Sequence, residues 1–178
     1  MDTKHMHNAT PTGEVPPALV RPDQQRIMRA LAKRSYCTLA TVSAAGRPHV
    51  AGVLYELVDT TMWINTTVSS RKARNVAHCR HVGVVVPVRR VPAGGPPSAV
   101  QFQGEADVVA VDDPDVIRLV GERRLASITG HGELDLPGSC FIRVELPRKL
   151  HTYGLGMSLI SLIRHPLEAA GVVELDHA

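Results

Sequence analysis

Residues 61–75 carry the side chains whose types and order are most typical of a binding site. An apolar strand runs into threonine and serine, and a basic helix start follows. Ser69 or Ser70 can cap that helix, because a serine oxygen accepts hydrogen bonds from first-turn amides. The other first-turn N–H groups carry partial positive charge, and three full charges stand at the same end: Arg71, Lys72 and Arg74. These donors indicate a site for a phosphorylated ligand, and an exposed basic face without a ligand is the alternative.

Charge is unevenly distributed around this segment. No Asp or Glu occurs between Thr60 and Gly104, although the whole chain has a net charge of only +3. Six cations fall inside the stretch: Arg71, Lys72, Arg74, Arg80, Arg89 and Arg90. Uncompensated cations favour an anionic ligand. Nucleic acid is not expected, because the chain has only two Phe, three Tyr and one Trp with which to stack bases.

Length and composition indicate one soluble domain. The 178 residues are enough for a sizeable core, and the hydrophobic content of 44% is typical of globular proteins. No apolar run approaches the roughly 18 residues of a membrane span, and no signal peptide is evident. Cys37, Cys79 and Cys140 are odd in number and widely spaced, which indicates free thiols and a cytoplasmic location. No metal site is expected, because the spacing in residues 78–81, His-Cys-Arg-His, does not fit a closed zinc site.

Periodicity and turn signals predict a hairpin-rich chain with short helices. Strands are predicted at residues 36–42, 49–58, 61–66, 81–89, 99–111, 139–146 and 150–153, the fourth of them central because it is continuously apolar. Helices are predicted at residues 22–33, at 70–78, after Asp112 or Asp113 with a stripe of Ile117 and Val120, and at 155–170 with a break at Pro166. Gly104 is a candidate bulge. Six or seven antiparallel strands with peripheral helices indicate a mainly β barrel.

Several of these pieces together resemble the pyridoxamine 5′-phosphate oxidase-like split-barrel superfamily. They are the strand 36–42, the Gly46-Arg-Pro48 hairpin, the Thr66-x-x-x-Ser70-Arg-Lys72 helix start with Asn75, and Gln103-Gly-Glu-Ala106. The superfamily includes flavin- and deazaflavin-dependent oxidoreductases of actinobacteria. The resemblance covers residues 22–153 and implies a split β-barrel homodimer with its site at the subunit interface. Residues 1–21 are then a flexible arm, and residues 154–178 a helical C-terminal extension.

The resemblance also implies where the cofactor binds. The flavin phosphate would lie on Thr66, Ser70, Arg71 and Lys72, in the motif that also contains Asn75. The second hairpin strand would pass along the isoalloxazine ring with Val50, Gly52, Val53 and Leu54. A glycine at position 52 suits a planar ring, and a β-bulge is the alternative explanation. His49 and Tyr55 are the candidate catalytic side chains, each with an ordinary structural alternative.

The chain departs from pyridoxamine phosphate oxidases at two positions that bind the FMN phosphate. Ala51 and Glu56 stand where those enzymes have cations, and residues 148–151 only loosely match their substrate-binding Arg-x-His. The likeness is therefore closer to the branch that uses coenzyme F420, whose long anionic tail suits the acid-free stretch. We expect an F420H2-dependent reductase of a small conjugated or aromatic acceptor. The alternatives are an FMN-binding oxidoreductase and a non-catalytic flavin or haem binding protein.

Overall fold

The computed structural model describes residues 23–88 and 98–176. The predicted arm at residues 1–21, the loop at 91–97 and the cations Arg89 and Arg90 lie outside the described residues.

Nine strands and five α-helices form the described part of the chain, so the predicted mainly β, antiparallel fold is confirmed, with more strands than predicted. The strands are β1 (Tyr36–Val42), β2 (Pro48–Leu54), β3 (Glu56–Val58), β4 (Thr61–Thr67), β5 (His81–Pro87), β6 (Ala99–Ala110), β7 (Ser139–Glu145), β8 (Lys149–Tyr153) and β9 (Ala170–Glu174). The helices are α1 (Gln24–Ala32), α2 (Arg71–His78), α3 (Pro114–Gly121), α4 (Ala126–Thr129) and α5 (Leu159–Arg164), and single 3₁₀ turns occur at Glu133–Asp135 and Pro166–Ala169. No helix among these residues is both long enough and apolar enough to span a bilayer.

The strands form one curled antiparallel sheet in the order β2-β1-β5-β6-β7-β4-β3, with β8 and β9 branching from β6. The twelve-residue strand β6 belongs to both halves of this sheet. Its first part pairs with β5 and β8, and its second part, from Ala106 onward, pairs with β7. A large aliphatic core fills the curl, and a second cluster around Trp63 and Phe141 packs under α3 and α4. The predicted central position of β5 is confirmed, since it lies between β1 and β6.

The predicted single strand at residues 49–58 is wrong, because the chain breaks at Tyr55. The Tyr55 side chain is fully buried, and its hydroxyl donates to the Leu31 carbonyl oxygen at 2.7 Å. Its backbone N–H donates to the Ser35 carbonyl oxygen at 2.8 Å, one residue beyond the last β1–β2 pair. The break lets β2 pair with β1 while β3 pairs with β4, so one short segment serves both halves of the sheet.

The two helices beside the sheet also differ from the prediction. Helix α1 begins at Gln24, because the Asp23 side chain accepts the Arg26 N–H and so caps it. In α3 the predicted stripe of Ile117 and Val120 is half right: Val120 is half-buried against the Trp63 cluster, but Ile117 is 59% exposed, and the fully buried residues are Val116 and Leu119. Val116 and Leu119 have the same three-residue spacing as Ile117 and Val120, and both pairs are apolar. The sequence pattern therefore could not show which pair would be more deeply buried.

Neither glycine that was a candidate bulge interrupts a ladder. The β5–β6 pairing passes Gly104 in continuous register, and a Cβ there would lie 3.1 Å from the Glu145 carbonyl oxygen. Gly104 therefore permits a close backbone approach where β6 passes from one half of the sheet to the other. Gly52 pairs with Thr38 in an equally continuous β1–β2 register.

The segment after β8 is less helical than predicted. Helix α5 and a 3₁₀ turn are followed by β9, which pairs with β8 along its whole length. Strand β9 is not evident in the sequence, because it is short and follows a helix-like apolar run. Met157, Leu162 and Ala169 pack together against Tyr153, so this segment folds back over one end of β8.

Candidate functional site

The start of α2 presents a cluster of hydroxyl and amide donors at the end of β4. Ser70 is the N-cap, as predicted, and its oxygen accepts the Ala73 N–H at 3.2 Å. The same oxygen accepts a hydrogen bond from the Thr66 hydroxyl at 3.1 Å. A serine oxygen that accepts twice still has its own proton to donate, so the Ser70 hydroxyl can bind an anion while it caps the helix.

Three cations surround this helix start. Arg71 and Arg74 are exposed, and Lys72 is half-buried. Within residues 23–88 and 98–176, no carboxylate oxygen lies within 4.0 Å of these three side chains. Lys72 lies near Cys140, which pairs with Thr66 across β4 and β7. Burial raises the pKa of the Cys140 thiol, and the charge of Lys72 partly offsets that rise. The donor set of hydroxyl, amide and unpaired cations fits a phosphate group.

Asn75 lies behind this surface and fixes the helix to the sheet. Its side chain is 5% exposed, and its amide nitrogen donates to the Thr41 hydroxyl oxygen at 2.9 Å. Thr41 is buried near the end of β1. In this position Asn75 orients α2 through β1, whereas the resemblance had grouped it with the cofactor-binding residues.

Arg80 does not extend the positive surface, contrary to the sequence-based expectation. Its guanidinium lies 3.5 Å from the Glu105 carboxylate and 3.1 Å from the Asp107 carboxylate. Asp107 also lies 3.4 Å from Arg143. Carboxylates of β6 therefore neutralise Arg80 in the folded chain, and among the described cations of the acid-free stretch only those of α2 remain without a carboxylate partner.

A broad groove lies on the side of β1, β2, β5, β6 and β8 that points away from the aliphatic core. We call this side of the five strands the outward face. Alternation along β2 directs Val50, Gly52 and Leu54 to this face and directs Val53 into the core. Val53 therefore cannot contact a ring through its side chain. The groove has a volume of about 820 Å³, within the usual range for small-molecule sites. Its floor is apolar and its sides carry amides and two basic side chains: Ala40, Val50, Gly83 and Val85, then Gln101, Gln103, Lys149 and His151.

Both candidate catalytic side chains lie on the opposite face of the sheet from this groove. Tyr55 is enclosed in the core with its hydroxyl bonded to Leu31, and burial raises the pKa of that phenol. His49 alternates with Val50 and so shares the face of Val53 and its strand partner Thr41. The His49 Nδ1 atom is buried without a hydrogen-bond partner among the described residues. Among those residues there is also no group of three or more His, Cys, Asp and Glu side chains that could hold a metal ion.

Sequence reasoning missed the groove residues that come from other strands. Gln101 and Gln103 alternate with buried Val100 and Phe102, so their outward position was visible as a period of two. Their neighbours were not visible, because the register Thr38–Val85–Gln101–His151 joins four strands far apart in sequence.

Comparison with known proteins places these features in a family context. The pyridoxamine 5′-phosphate oxidase family model matches residues 24–148. No curated protein matches the chain.

Among solved structures, the haem storage protein HutZ from Vibrio cholerae is 24% identical, with a TM-score of 0.61 over 75% of this chain and 96% of that one. A haem binding protein from Mycobacterium smegmatis is 16% identical, with a TM-score of 0.65 over 87% of this chain and 59% of that one. An FAD-binding protein from Mesorhizobium loti is 19% identical, with a TM-score of 0.54 over 71% of this chain and 91% of that one. At these identities the similarity shows a shared fold, and the haem and FAD in these names are ligands of the other proteins.

Proposed function

Because this chain belongs to the pyridoxamine 5′-phosphate oxidase family, we propose that it is an oxidoreductase that binds a flavin or deazaflavin. The start of α2 carries the proposal. It offers the Ser70 hydroxyl, first-turn amides and three cations that no described carboxylate neutralises. A cluster of cations without nearby carboxylates, beside free amide donors at a helix start, favours an anionic ligand.

The proposed cofactor site joins this helix start to the outward face. The phosphate would be held by Thr66, Ser70, Arg71 and Lys72, and the ring would lie along β2. Asn75 fixes α2 beside Thr41, and Thr41 pairs with His49, the neighbour of Val50 on β2. The helix start therefore lies near the end of β2 at which the proposed ring contacts begin, which suits a cofactor whose planar ring is joined to its phosphate by a flexible chain. The cofactor supplies hydride transfer, and the protein supplies binding, orientation and a dry apolar floor.

We further propose that the cofactor is F420 and that F420H2 reduces a small conjugated or aromatic acceptor. Two features support it over FMN. Ala51 and Glu56 replace cations of the FMN enzymes, and the Glu56 carboxylate accepts hydrogen bonds from the Ser127 hydroxyl and N–H. Arg74 lies one helical turn beyond the phosphate donors, so only a cofactor with a longer anionic tail would contact it. The paired state of Arg80 limits this tail contact to α2.

Parallel titrations with FMN and F420 test the cofactor assignment. Tighter binding of F420 is expected at low salt, and the preference should shrink as salt rises, because exposed tail contacts are screened within about 10 Å at 0.1 M. Tighter FMN binding at both salt concentrations would make the FMN-dependent alternative correct. Failure to bind either cofactor would overturn the oxidoreductase proposal.

The same site is proposed to be completed by a second copy of the chain. Val50 and Leu54 are 63% and 55% exposed on the outward face, which leaves an apolar surface open beside the groove. Val50→Asp is expected to convert a dimer to a monomer in light scattering at micromolar concentration. A wild-type monomer at that concentration would refute the dimer.

Haem binding without catalysis is the second candidate function. Two of the solved structures named above carry haem in their names, and His151 stands on the wall of the groove as a candidate axial ligand. Added haemin should then give a Soret band that His151→Ala shifts or removes. An unchanged spectrum in His151→Ala would exclude this histidine as the ligand.

A further inference from the structure

Tyr36 occupies a position on the outward face that the proposed function has not used. It is the first residue of β1 and lies opposite Leu54 of β2. Its side chain is 48% exposed, and its hydroxyl has no hydrogen-bond partner among the described residues. An exposed tyrosine beside an apolar groove has a large ring surface available for contact.

Gly52 shows how the Tyr36 ring lies. A Cβ placed on Gly52 would be 2.5 Å from the Tyr36 hydroxyl oxygen, 2.9 Å from Cε2 and 3.1 Å from Cζ. These three distances place the Cβ almost in the plane of the ring, so the hydroxyl end of the ring reaches over β2 and abuts Gly52 with its edge. Gly52 therefore covers neither face of the ring. Any larger residue at position 52 would push the ring off the strand.

We propose that Tyr36 is an aromatic platform for the planar ring of the cofactor and that Gly52 is small in order to seat Tyr36. The inference rests on the proposed cofactor site and adds a positioning residue to it. It changes the reason for Gly52, because the residue makes room for a side chain of this protein and does not itself contact the ring. The platform orients the ring through stacking, while the helix start holds the phosphate.

Substitution of Tyr36 tests the stacking contact. Wild type, Tyr36→Leu and Tyr36→Phe are titrated with FMN and with F420, and the dissociation constant and the fluorescence of the bound cofactor are recorded. Loss of one aromatic pair should weaken binding of the cofactor by about two- to twelve-fold in Tyr36→Leu. Bound cofactor should also fluoresce more strongly, because the phenol ring no longer quenches it. Tyr36→Phe retains the ring and should bind as wild type does.

A double substitution separates the two explanations of Gly52. Gly52→Ala alone should weaken binding about as much as Tyr36→Leu, because the new methyl group displaces the tyrosine. If Gly52 only seats Tyr36, the double variant Tyr36→Leu with Gly52→Ala should bind no worse than Tyr36→Leu, since the clash partner is gone. An additive loss in the double variant would mean that Gly52 faces the cofactor directly, and would overturn this part of the inference.

Two controls keep the outcomes distinct. Ile117→Ala removes another exposed apolar side chain, on α3 and away from the outward face, and should leave both readouts unchanged. Thermal melting of each variant should agree with wild type to within a few degrees. If wild type binds a cofactor and Tyr36→Leu binds it equally well with equal fluorescence, the platform is refuted while the proposed function stands. If wild type binds neither cofactor, both fail together.

Discussion

Substitution of Lys72 by alanine examines the proposed phosphate site most directly. Lys72 is half-buried next to the Ser70 cap, so its charge is less screened than that of Arg71 on the open side of the helix. A charge-assisted hydrogen bond at such a position contributes about 1.5–3 kcal/mol. Lys72→Ala should therefore raise the dissociation constant of the cofactor about ten- to a hundred-fold. An exposed ion contact is worth about 0.2–1 kcal/mol, so Arg71→Ala should cost only about five-fold or less.

The assay is a fluorescence titration of F420 or FMN at one fixed salt concentration, repeated at a higher one. Lys33→Ala is the matched control, because it removes the same unit of charge from an exposed position at the end of α1. That variant should bind as wild type does. Higher salt should weaken the Arg71 contribution more than that of Lys72. Equal dissociation constants for wild type and Lys72→Ala would show that the basic helix is only a solvated face. Equal losses in Lys33→Ala and Lys72→Ala would show that net charge, and not a local contact, attracts the cofactor.

Three further outcomes are expected. Tyr55→Phe removes the shorter of two hydrogen bonds to the Leu31 carbonyl, which keeps the Arg34 N–H at 3.1 Å, and should lower the free energy of unfolding by about 0.5–1.5 kcal/mol in urea, with cofactor affinity unchanged; altered affinity would contradict its structural role. Asn75→Ala should lower the free energy of unfolding by a similar amount and, in addition, weaken cofactor binding, since α2 loses its bond to Thr41; retained affinity would show that α2 is positioned by packing alone. Burial raises the pKa of the Cys37 thiol from 9.0 to about 12. The contribution of the protonated, buried thiol to the free energy of unfolding is therefore complete below pH 9 and is lost as the pH rises towards 12. Cys37→Ala should flatten that alkaline decline in urea midpoints, and an equally steep decline would assign it to other groups.

The local elements could be predicted from sequence because their signals are local. Ser70 and Asp113 cap helices where serine and aspartate should, and the alternation of β1 and the short, mostly buried apolar run of β7 mark them as strands. The break at Tyr55 could not be predicted, because it depends on a hydrogen bond to Leu31, 24 residues earlier in the chain. Strand β9 is missed for a related reason, since its five residues become a strand through pairing with β8.

In the candidate site too, the residues that could be predicted are those whose signals are local in the sequence. The phosphate donors lie within one strand–helix turn, so residues 66–72 could be identified from their order alone. The outward face is assembled from β1, β2, β5, β6 and β8, and only the register shows that Val50 and His151 border one groove. The neutralisation of Arg80 by Asp107 is equally non-local. Charge counted along the sequence therefore overstated the positive surface.

Strand β6 has a consequence for how the protein unfolds. Because it is shared between both halves of the sheet, neither the aliphatic core nor the cluster around Trp63 can open without losing pairing along it. Trp63 is the only tryptophan and lies in the second cluster, so its fluorescence reports one half while far-ultraviolet circular dichroism reports the whole. The two signals should follow a single cooperative transition. The slowest amide hydrogen exchange should then be found at the centre of β6, near Gly104 and Ala106, where opening requires both halves to separate at once.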